Sequence, residues 1–253
     1  MLGGMIHIGI VGDHDPAQEA HAATEDALGH AAVNLGLGVE PTWIATDEVG
    51  DPPDELAGFD GLLVAPGSPY RDPEGALRAV EHARTADVPL LATCAGMQHV
   101  VVELARHVLG VEDAHHAEYE PEGATLVVTR LACSLAGQEQ EVDVRPGTRA
   151  AAAYGDRTVT ERYACSFGPD PAVVDELVRA GVVVSGTDGE GAPRILELPD
   201  RRFFVATLFV PQVRSTVVHP HPLVSAFVAA AEEAARGDED GTEPAVVVRR
   251  PDG

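Results

Sequence analysis

The chain has 253 residues, a net charge of -24 and 17 basic residues, every one of which is arginine. The acidic excess argues against nucleic acid and anionic membranes as partners, because both are polyanions. The absence of lysine argues against a Walker-type ATP site and a pyridoxal phosphate Schiff base, and no apolar run approaches the roughly 18 residues of a membrane span.

The three cysteines form no CxxC motif, and their odd number favours a reducing cytoplasm over a disulfide framework. No basic segment precedes the first apolar run, so we expect no signal peptide. The pattern predicts one domain over 1–237 and a mobile acidic tail over 238–253. No zinc-ligand spacing is present, and we expect neither a metal nor a cofactor.

The first half of the chain alternates short apolar runs with helix-like runs. FDGLLVAPGSP (59–69) ends on Pro and Gly, as a buried strand entering a turn does. DPAQEAHAATEDALGHAAVNLG (15–36) opens with Asp-Pro and has a period near 3.6, which is typical of a helix. This alternation predicts an α/β fold, a three-layer sandwich with a central, mostly parallel sheet. The predicted strands of this half are 5–13, 39–45, 59–69 and 88–94, and the predicted helices are 15–36, 73–87 and 97–110.

The second half changes to short strand-like segments separated by turns. One helix is predicted among them over 170–181, and a closing helix is predicted over 222–237. The segment AAAYGDRTVTERYACSF (151–167) is assigned to strand. The other predicted strands are 124–133, 140–146, 181–188, 192–200 and 202–211.

Cys94 stands between a predicted strand and a predicted helix, in PLLATCAGMQHVV (89–101). Ligands bind at the carboxyl ends of the strands in an open parallel sheet, and a nucleophile on a strand-to-helix bend is exposed there. The helix N-terminus should favour the thiolate and lower its pKa. The N–H of Ala95 would point toward the oxyanion formed by attack, and the turn Gly67–Ser68 would present a second N–H. A buried structural cysteine is the alternative.

Among the three cysteines we expect Cys94 to be the most reactive, because the helix terminus supplies thiolate and the bend supplies access. Cys133 lies in an apolar strand pattern and should react slowly. Cys165 is the rival, because its segment should border the same pocket.

The stretch PLLATCAGMQHVVVELARHVLGVEDAHHAEYEPEG resembles the nucleophile elbow of the class I glutamine amidotransferases, and more narrowly the glutaminase domain of CTP synthases. HIGIVGDHD resembles the opening strand of that family, and FDGLLVAPGSP resembles its oxyanion loop. FFVATLFVPQVRSTVVHPHPLVSAFVAAA resembles its closing stretch. The motifs keep their order along nearly the whole chain, so the resemblance implies the flavodoxin-like architecture of that family. It includes no ATP-dependent synthetase domain, so complete CTP synthase activity is not expected of this chain.

In that family the cysteine works with a His and a Glu from the motif F-H-P-E, and the His takes the thiol proton. The matching stretch here is LFVPQ, which puts Val210 at the His position and Gln212 at the Glu position. Because valine accepts no proton, the resemblance implies an incomplete triad. We expect ordinary glutaminase activity to be absent or very weak.

The resemblance also indicates the substrate pocket. Glu118 matches the glutamate that binds the α-amino group of glutamine, and Gln98 also matches. The Arg/His-rich wall of the family has become ERYACSFG, and the oxyanion loop continues into Ser68-Pro69-Tyr70. The pocket is therefore not obviously a glutamine pocket, and its candidate substrate-binding residues are Gln98, Glu118, Tyr70 and Ser166.

Candidates for the missing base are Glu118, His115 and His116, which lie in the loop after the elbow helix. Related folds pair an elbow cysteine with a glutamate and no histidine. His99 follows Cys94 by five residues, a helical spacing that should turn it away from the thiol. A solvent-exposed role is the alternative for each histidine, because geometry decides such roles.

The sequence leaves three functions open. The one we favour is a Cys94-dependent hydrolase or transferase acting on a small amide or carbonyl compound other than glutamine. The second is a non-catalytic pseudo-amidotransferase that binds a small ligand or a partner with the remnant pocket. The third is a glutaminase subunit with a rearranged triad, which feeds ammonia to a separate synthetase-type protein. The expected partners are therefore a small molecule, a synthetase-type protein or a second copy in a homo-oligomer.

Overall fold

A computed structural model describes residues 5–240, in which the chain forms twelve strands and six α-helices. The strands are β1 (Met5–Val11), β2 (Gly38–Ile44), β3 (Gly61–Val64), β4 (Leu90–Thr93), β5 (Ala114–His116), β6 (Thr125–Arg130), β7 (Glu139–Val144), β8 (Thr158–Arg162), β9 (Phe167–Pro169), β10 (Val183–Thr187), β11 (Pro193–Glu197) and β12 (Phe204–Thr207). The helices are α1 (Glu19–Leu35), α2 (Pro73–Ala86), α3 (Ala95–His107), α4 (Arg149–Tyr154), α5 (Pro171–Arg179) and α6 (Pro222–Asp240).

Nine strands form the main sheet, in the order β2-β1-β3-β4-β12-β11-β10-β7-β8. The five strands from β2 to β12 run parallel, and the remaining four continue the sheet antiparallel. Every residue of β3, β4 and β12 is buried, as expected for parallel strands covered on both faces. The predicted α/β fold with a central sheet is confirmed, and the sheet is mixed because the second half of the chain adds its strands as hairpins.

The helices cover the parallel half in two layers. Helices α1 and α6 pack against each other on one face, and α2 and α3 pack against each other on the opposite face. Helix α3 is buried along nearly its whole length, because it lies between the sheet and the elements that follow it. No helix among the described residues is long and apolar enough to cross a membrane.

A second, three-stranded sheet has the order β5-β6-β9 and packs against α3. Strand β5 follows α3 directly, and β9 pairs antiparallel with β6. This small sheet brings the segment after α3 and the segment before β9 to one side of the elbow helix. It therefore forms a wall beside the start of α3.

Two of the predicted strands are wrong in detail. The segment predicted as strand over 151–167 begins with α4, because its alanines favour a helix, Thr148 caps it by accepting the Ala151 N–H at 3.2 Å, and Gly155 ends it at φ 74°. Strand β6 ends at Arg130, so Cys133 lies in an exposed loop rather than in a strand.

The predicted division at residue 237 stays a prediction. Helix α6 continues past that position to Asp240. The rest of the predicted tail, 241–253, lies outside the described residues.

Candidate functional site

Cys94 occupies the bend between β4 and α3, as the sequence predicts. Its backbone has φ 52° and ψ -107°, a conformation that non-glycine residues rarely adopt and that costs of order 1–3 kcal/mol. The Cys94 N–H donates to the Thr207 carbonyl at 2.8 Å, which ties the bend to the end of β12. Strain of this kind is typical of active sites, where the surrounding fold holds a side chain at the edge of the sheet.

The bend also depends on a close approach between α3 and β3. A Cβ atom at Gly96 would lie 2.4 Å from the Val64 carbonyl oxygen, which is inside any ordinary contact distance. Only glycine lets the first turn of α3 pack this tightly on the neighbouring strand. The position of the Cys94 sulfur therefore depends on Gly96 as well as on the Cys94 backbone.

Cys94 lines a cavity of about 380 Å³ at the carboxyl ends of the parallel strands. The loop after β3 lines the same cavity with Gly67 and Ser68, and Glu118 and Ser166 line it from the side of the small sheet. These are five of the residues that the sequence assigns to the site. The cavity is also lined by seven residues that those assignments do not include, which are Gln18, Ala20, Pro66, Arg130, Ala164, Cys165 and Phe167.

Two groups contact the Cys94 sulfur directly. The Ala95 N–H lowers the pKa of the Cys94 thiol, so this N–H faces the sulfur. The thiol of Cys165 lines the same cavity and is the other neighbour that acts on the Cys94 thiol. The sequence expectation that the Cys165 segment borders the pocket is confirmed.

The expected lowering of the Cys94 pKa is wrong. The neighbouring thiol of Cys165 and burial together raise the pKa of Cys94 well above its ordinary value, and the Ala95 N–H opposes them only in part. The neighbouring thiol of Cys94 lowers the pKa of Cys165, burial opposes this, and the positive charge of Arg194 adds to the lowering. The greater reactivity of Cys94 stays a prediction, but Cys165 is the more acidic thiol of the pair.

The cavity lining, within the part of the chain that the structure describes, contains no histidine. Val210 is buried, and its N–H donates to the Arg162 carbonyl at 2.8 Å. The Gln212 amide donates to the Thr93 hydroxyl at 2.9 Å, and its Oε1 is buried without a partner. Neither side chain is a base, so neither can take a proton from Cys94.

His116 is not the missing base. Its Nε2 donates to Gln98 Oε1 at 2.9 Å, and its Nδ1 accepts the Glu118 N–H at 3.1 Å, so both ring nitrogens are occupied. Burial lowers the pKa of His116 to about 3, which keeps the ring neutral. His115 does not line the cavity, and its Nδ1 lies 3.2 Å from Glu120 instead. Both histidines therefore differ from the sequence expectation: they lie in strand β5 rather than in a loop, and neither lines the cavity.

Glu118 is the predicted base that does face the cavity. Its Oε2 is buried and has no hydrogen-bond partner, and its negative charge contributes to the raised pKa of Cys94. Glu118 is held in place by its own N–H, which donates to His116. An unpartnered buried carboxylate oxygen beside a thiol is able to accept a proton or to bind a cationic group of a ligand.

Two predicted substrate-binding residues lie behind the cavity rather than in its lining. Gln98 donates to the Phe167 carbonyl at 3.0 Å and thereby positions a wall of the cavity. The Tyr70 hydroxyl donates to the Ala65 carbonyl, and its N–H donates to the Tyr119 hydroxyl at 2.7 Å. Both residues therefore differ from the expectation, because sequence spacing does not show whether a side chain lines a cavity or lies behind its wall.

His21 was missed by the sequence analysis. It is 1% exposed, its Nε2 donates to the Pro66 carbonyl at 2.8 Å, and its Nδ1 accepts the Asp15 N–H at 2.9 Å. A Cβ atom at Gly67, where φ is 108°, would lie 2.8 Å from this Nε2. His21 thus positions the loop that carries Gly67. A single histidine on the buried face of α1 is the only feature of the sequence that could have indicated this role.

Two buried histidines beside the elbow predict a pH-dependent stability. His99 donates from Nδ1 to the Ala95 carbonyl at 2.8 Å, and burial lowers its pKa to about 4, while that of His116 is lowered to about 3. Since an unfolded histidine has a pKa near 6.5, the unfolded chain binds more protons below that pH. Stability is therefore fully present above about pH 6.5 and is lost as the pH falls toward the two folded values.

We expect the free energy of unfolding to be about 4 kcal/mol lower at pH 5.0 than at pH 7.5. Urea unfolding followed by circular dichroism at both pH values measures the difference. His99→Phe keeps the ring volume and removes one titrating group, so its unfolding should depend less on pH than that of the wild type. Equal unfolding midpoints of the wild type at the two pH values would contradict the assignment.

Comparisons with known proteins agree with this architecture. The family model described as "Glutamine amidotransferase class-I" matches residues 18–230. CTP synthase of Pyrococcus furiosus is 35% identical over 240 residues, which cover 90% of this chain and 45% of that protein. CTP synthase of Pyrobaculum calidifontis is 37% identical over 243 residues, which cover 91% and 46%. The chain spans about half the length of these curated relatives.

Solved structures give the same result. The glutaminase domain of Trypanosoma brucei CTPS with bound acivicin matches with a TM-score of 0.83 and 26% identity, covering 90% of this chain and 94% of that one. A glutamine amidotransferase from Thermotoga maritima matches with a TM-score of 0.56 at 10% identity, which is similarity of fold alone.

Proposed function

Because the chain belongs to the class-I glutamine amidotransferase family, we propose that it is a Cys94-dependent hydrolase or transferase for a small amide or related carbonyl compound other than glutamine. One observation carries the proposal: Cys94 is held in a strained elbow that opens onto a cavity together with Gly67, Ser68 and Glu118. A purely structural cysteine needs no such backbone conformation.

The cavity walls bear on the size and charge of the proposed substrate. On the side of the small sheet the wall is built from the short side chains of Ala164, Cys165 and Ser166, with Ser166 bonded to Ser134 at 2.8 Å. Arg130 also lines the cavity, with its guanidinium 5.0 Å from the centre of the Phe167 ring, and offers a cation to a substrate carboxylate. A volume of about 380 Å³ suits a ligand of roughly amino-acid size.

In the proposed reaction, Glu118 accepts the Cys94 proton as the sulfur attacks the substrate carbonyl carbon. The N–H groups of Ala95 and of the Gly67–Ser68 turn bind the oxyanion. Collapse of the intermediate breaks the carbon–nitrogen bond, and Glu118 returns the proton to the departing amine. Water or another acceptor then releases the acyl group from sulfur, which restores the Cys94 thiol.

The test is a panel of amino-acid amides, short aliphatic amides and the corresponding esters, assayed for ammonia or alcohol release. For any substrate that turns over, Cys94→Ser should lower kcat/KM by about 10³-fold or more, and Glu118→Gln should lower it by about 10²-fold. Cys133→Ser is the matched control, because Cys133 is an exposed loop thiol and its loss should leave the rate unchanged. Turnover that survives in Cys94→Ser would contradict the proposal.

A second candidate function is ligand binding without chemistry. It is favoured by the raised pKa of Cys94 and by the absence of histidine from the described cavity lining. In that case ligands would raise the melting temperature of the wild type and of Cys94→Ser alike, without any product.

The third candidate, a glutaminase subunit, requires a synthetase-type partner protein, which co-purification would detect. We propose a cytoplasmic location for each of these functions. A second copy of the chain, in a homo-oligomer, is the alternative to a synthetase-type partner.

A further inference from the structure

We propose that Cys94 and Cys165 form a redox-active pair, which hydrogen peroxide converts to an intramolecular disulfide. The two thiols line the same cavity, and each is the leading influence on the pKa of the other, which makes them neighbours. Each residue is 5% exposed, so this contact belongs to the interior of the site rather than to a flexible surface. The disulfide does not depend on the proposed amide chemistry.

Hydrogen bonds to residues at the end of β12 hold both cysteines in place. The Cys94 N–H donates to the carbonyl of Thr207 at 2.8 Å, and the Cys165 thiol donates to the carbonyl of Leu208 at 3.4 Å. Consecutive residues at the end of β12 therefore anchor both cysteines. The Cys165 carbonyl also accepts the Leu135 N–H at 3.0 Å, which fixes the backbone of its segment.

The surroundings favour ionisation of one thiol of the pair. The neighbouring Cys94 thiol and the positive charge of Arg194 lower the pKa of Cys165, and burial opposes them only in part, so Cys165 carries the first thiolate and gives up its hydrogen bond to Leu208. Thiolates and not thiols attack peroxides, and a second thiol in contact is able to resolve the product. The cavity of about 380 Å³ gives a molecule as small as hydrogen peroxide access to both sulfurs.

The oxidation has two steps. The Cys165 thiolate attacks one peroxide oxygen, the oxygen–oxygen bond breaks, and the hydroxide that leaves takes the Cys94 proton and becomes water. The Cys94 thiolate then attacks the sulfur of the Cys165 sulfenic acid, the sulfur–oxygen bond breaks, and the second hydroxide is protonated from solvent. Two thiols lose two electrons in total, and one peroxide is reduced to two waters.

A disulfide at this position removes the Cys94 nucleophile, so the oxidised protein should have no Cys94-dependent activity. This consequence rests on the proposed function, whereas the formation of the disulfide does not. A small-molecule dithiol should restore both thiols, since thiol–disulfide exchange reverses the bond.

The experiment uses the full chain carrying Cys133→Ser, which leaves only Cys94 and Cys165 of the three free cysteines. The reduced protein is treated with a slight excess of hydrogen peroxide and examined by intact mass and by non-reducing peptide mapping. We expect the loss of two hydrogens, one peptide pair joining Cys94 to Cys165, and full reversal by dithiothreitol. The additional change Cys165→Ser should slow peroxide consumption by about 10-fold or more and leave Cys94 as a sulfenic or sulfinic acid.

The proposal is overturned if the folded protein keeps both thiols under conditions that oxidise the urea-unfolded chain. It is also overturned if the products are separate sulfinic acids or a disulfide between two chains. These results do not depend on amide turnover. A mapped disulfide in a protein that hydrolyses no amide would therefore refute the proposed function and leave the redox pair standing.

Discussion

Glutamine supplied to the purified protein is expected to release ammonia at a rate lower by about three orders of magnitude or more than that of an amidotransferase with a complete triad. The reason is the missing histidine of the triad, since no histidine lines the described cavity. Val210 and Gln212 hold the positions that the sequence resemblance assigns to the His and the Glu, and the pKa of Cys94 is raised. A coupled glutamate dehydrogenase assay, with a bona fide glutaminase as the standard, measures the rate.

Two variants at the triad positions extend this test. Val210→His with Gln212→Glu introduces an imidazole and a carboxylate that would orient it, beside Thr93, which now binds the Gln212 amide at 2.9 Å. Gln212→Glu alone is the matched control, since it introduces the orienting carboxylate without the imidazole that the carboxylate would orient. We expect the double variant to exceed the single variant in ammonia release if the wall of Ala164 to Ser166 admits glutamine. Release by the wild type at the rate of an ordinary amidotransferase would refute the prediction.

Gly96→Ala is expected to lower the free energy of unfolding by about 3 kcal/mol or more. The new Cβ would lie 2.4 Å from the Val64 carbonyl oxygen and 3.1 Å from the Val64 carbonyl carbon, so α3 has to move away from β3. A displaced α3 also moves Cys94 and the Ala95 N–H, so the variant should lose the thiol–thiol contact. Urea unfolding gives the stability, and peroxide-driven disulfide formation reports the position of the sulfur.

Gly29→Ala is the matched control for this prediction. Gly29 lies within α1, and a Cβ there meets no atom within 4 Å. The same chemical change should therefore raise the stability by about 1 kcal/mol, because alanine has the higher helix propensity. If the two variants unfold at the same urea concentration, the close packing of α3 on β3 is not what holds the elbow.

Much of the fold follows from local pattern. The alternating apolar and helix-like runs of the first half predict the parallel strands, because burial on both faces requires continuous apolar segments such as those of β3 and β4. The error at α4 has a local cause too. Its capping residue, Thr148, lies just before the segment predicted as strand, and the alanines that follow it run into a true strand, β8.

The candidate site was predictable only where the place of a residue follows from its neighbours in the sequence. Cys94 was placed correctly because a strand-to-helix junction is visible in the sequence. His116 was not, because its role is set by hydrogen bonds to Gln98 and to the Glu118 N–H that only the folded loop creates. Tyr70 and Gln98 were assigned to the substrate for the same reason, since sequence spacing does not show which side of a wall a side chain occupies.

The sequence by itself determined the acidic charge, the alternating architecture, the family and the bend that carries Cys94. Only the tertiary structure decided the chemistry of that thiol. Burial and contact with Cys165 set its pKa, and Cys165 reaches it because the end of β12 holds both residues through Thr207 and Leu208. The physical reason is that desolvation and hydrogen bonding depend on distances in space, and the groups that act on Cys94 come from segments far apart in the chain.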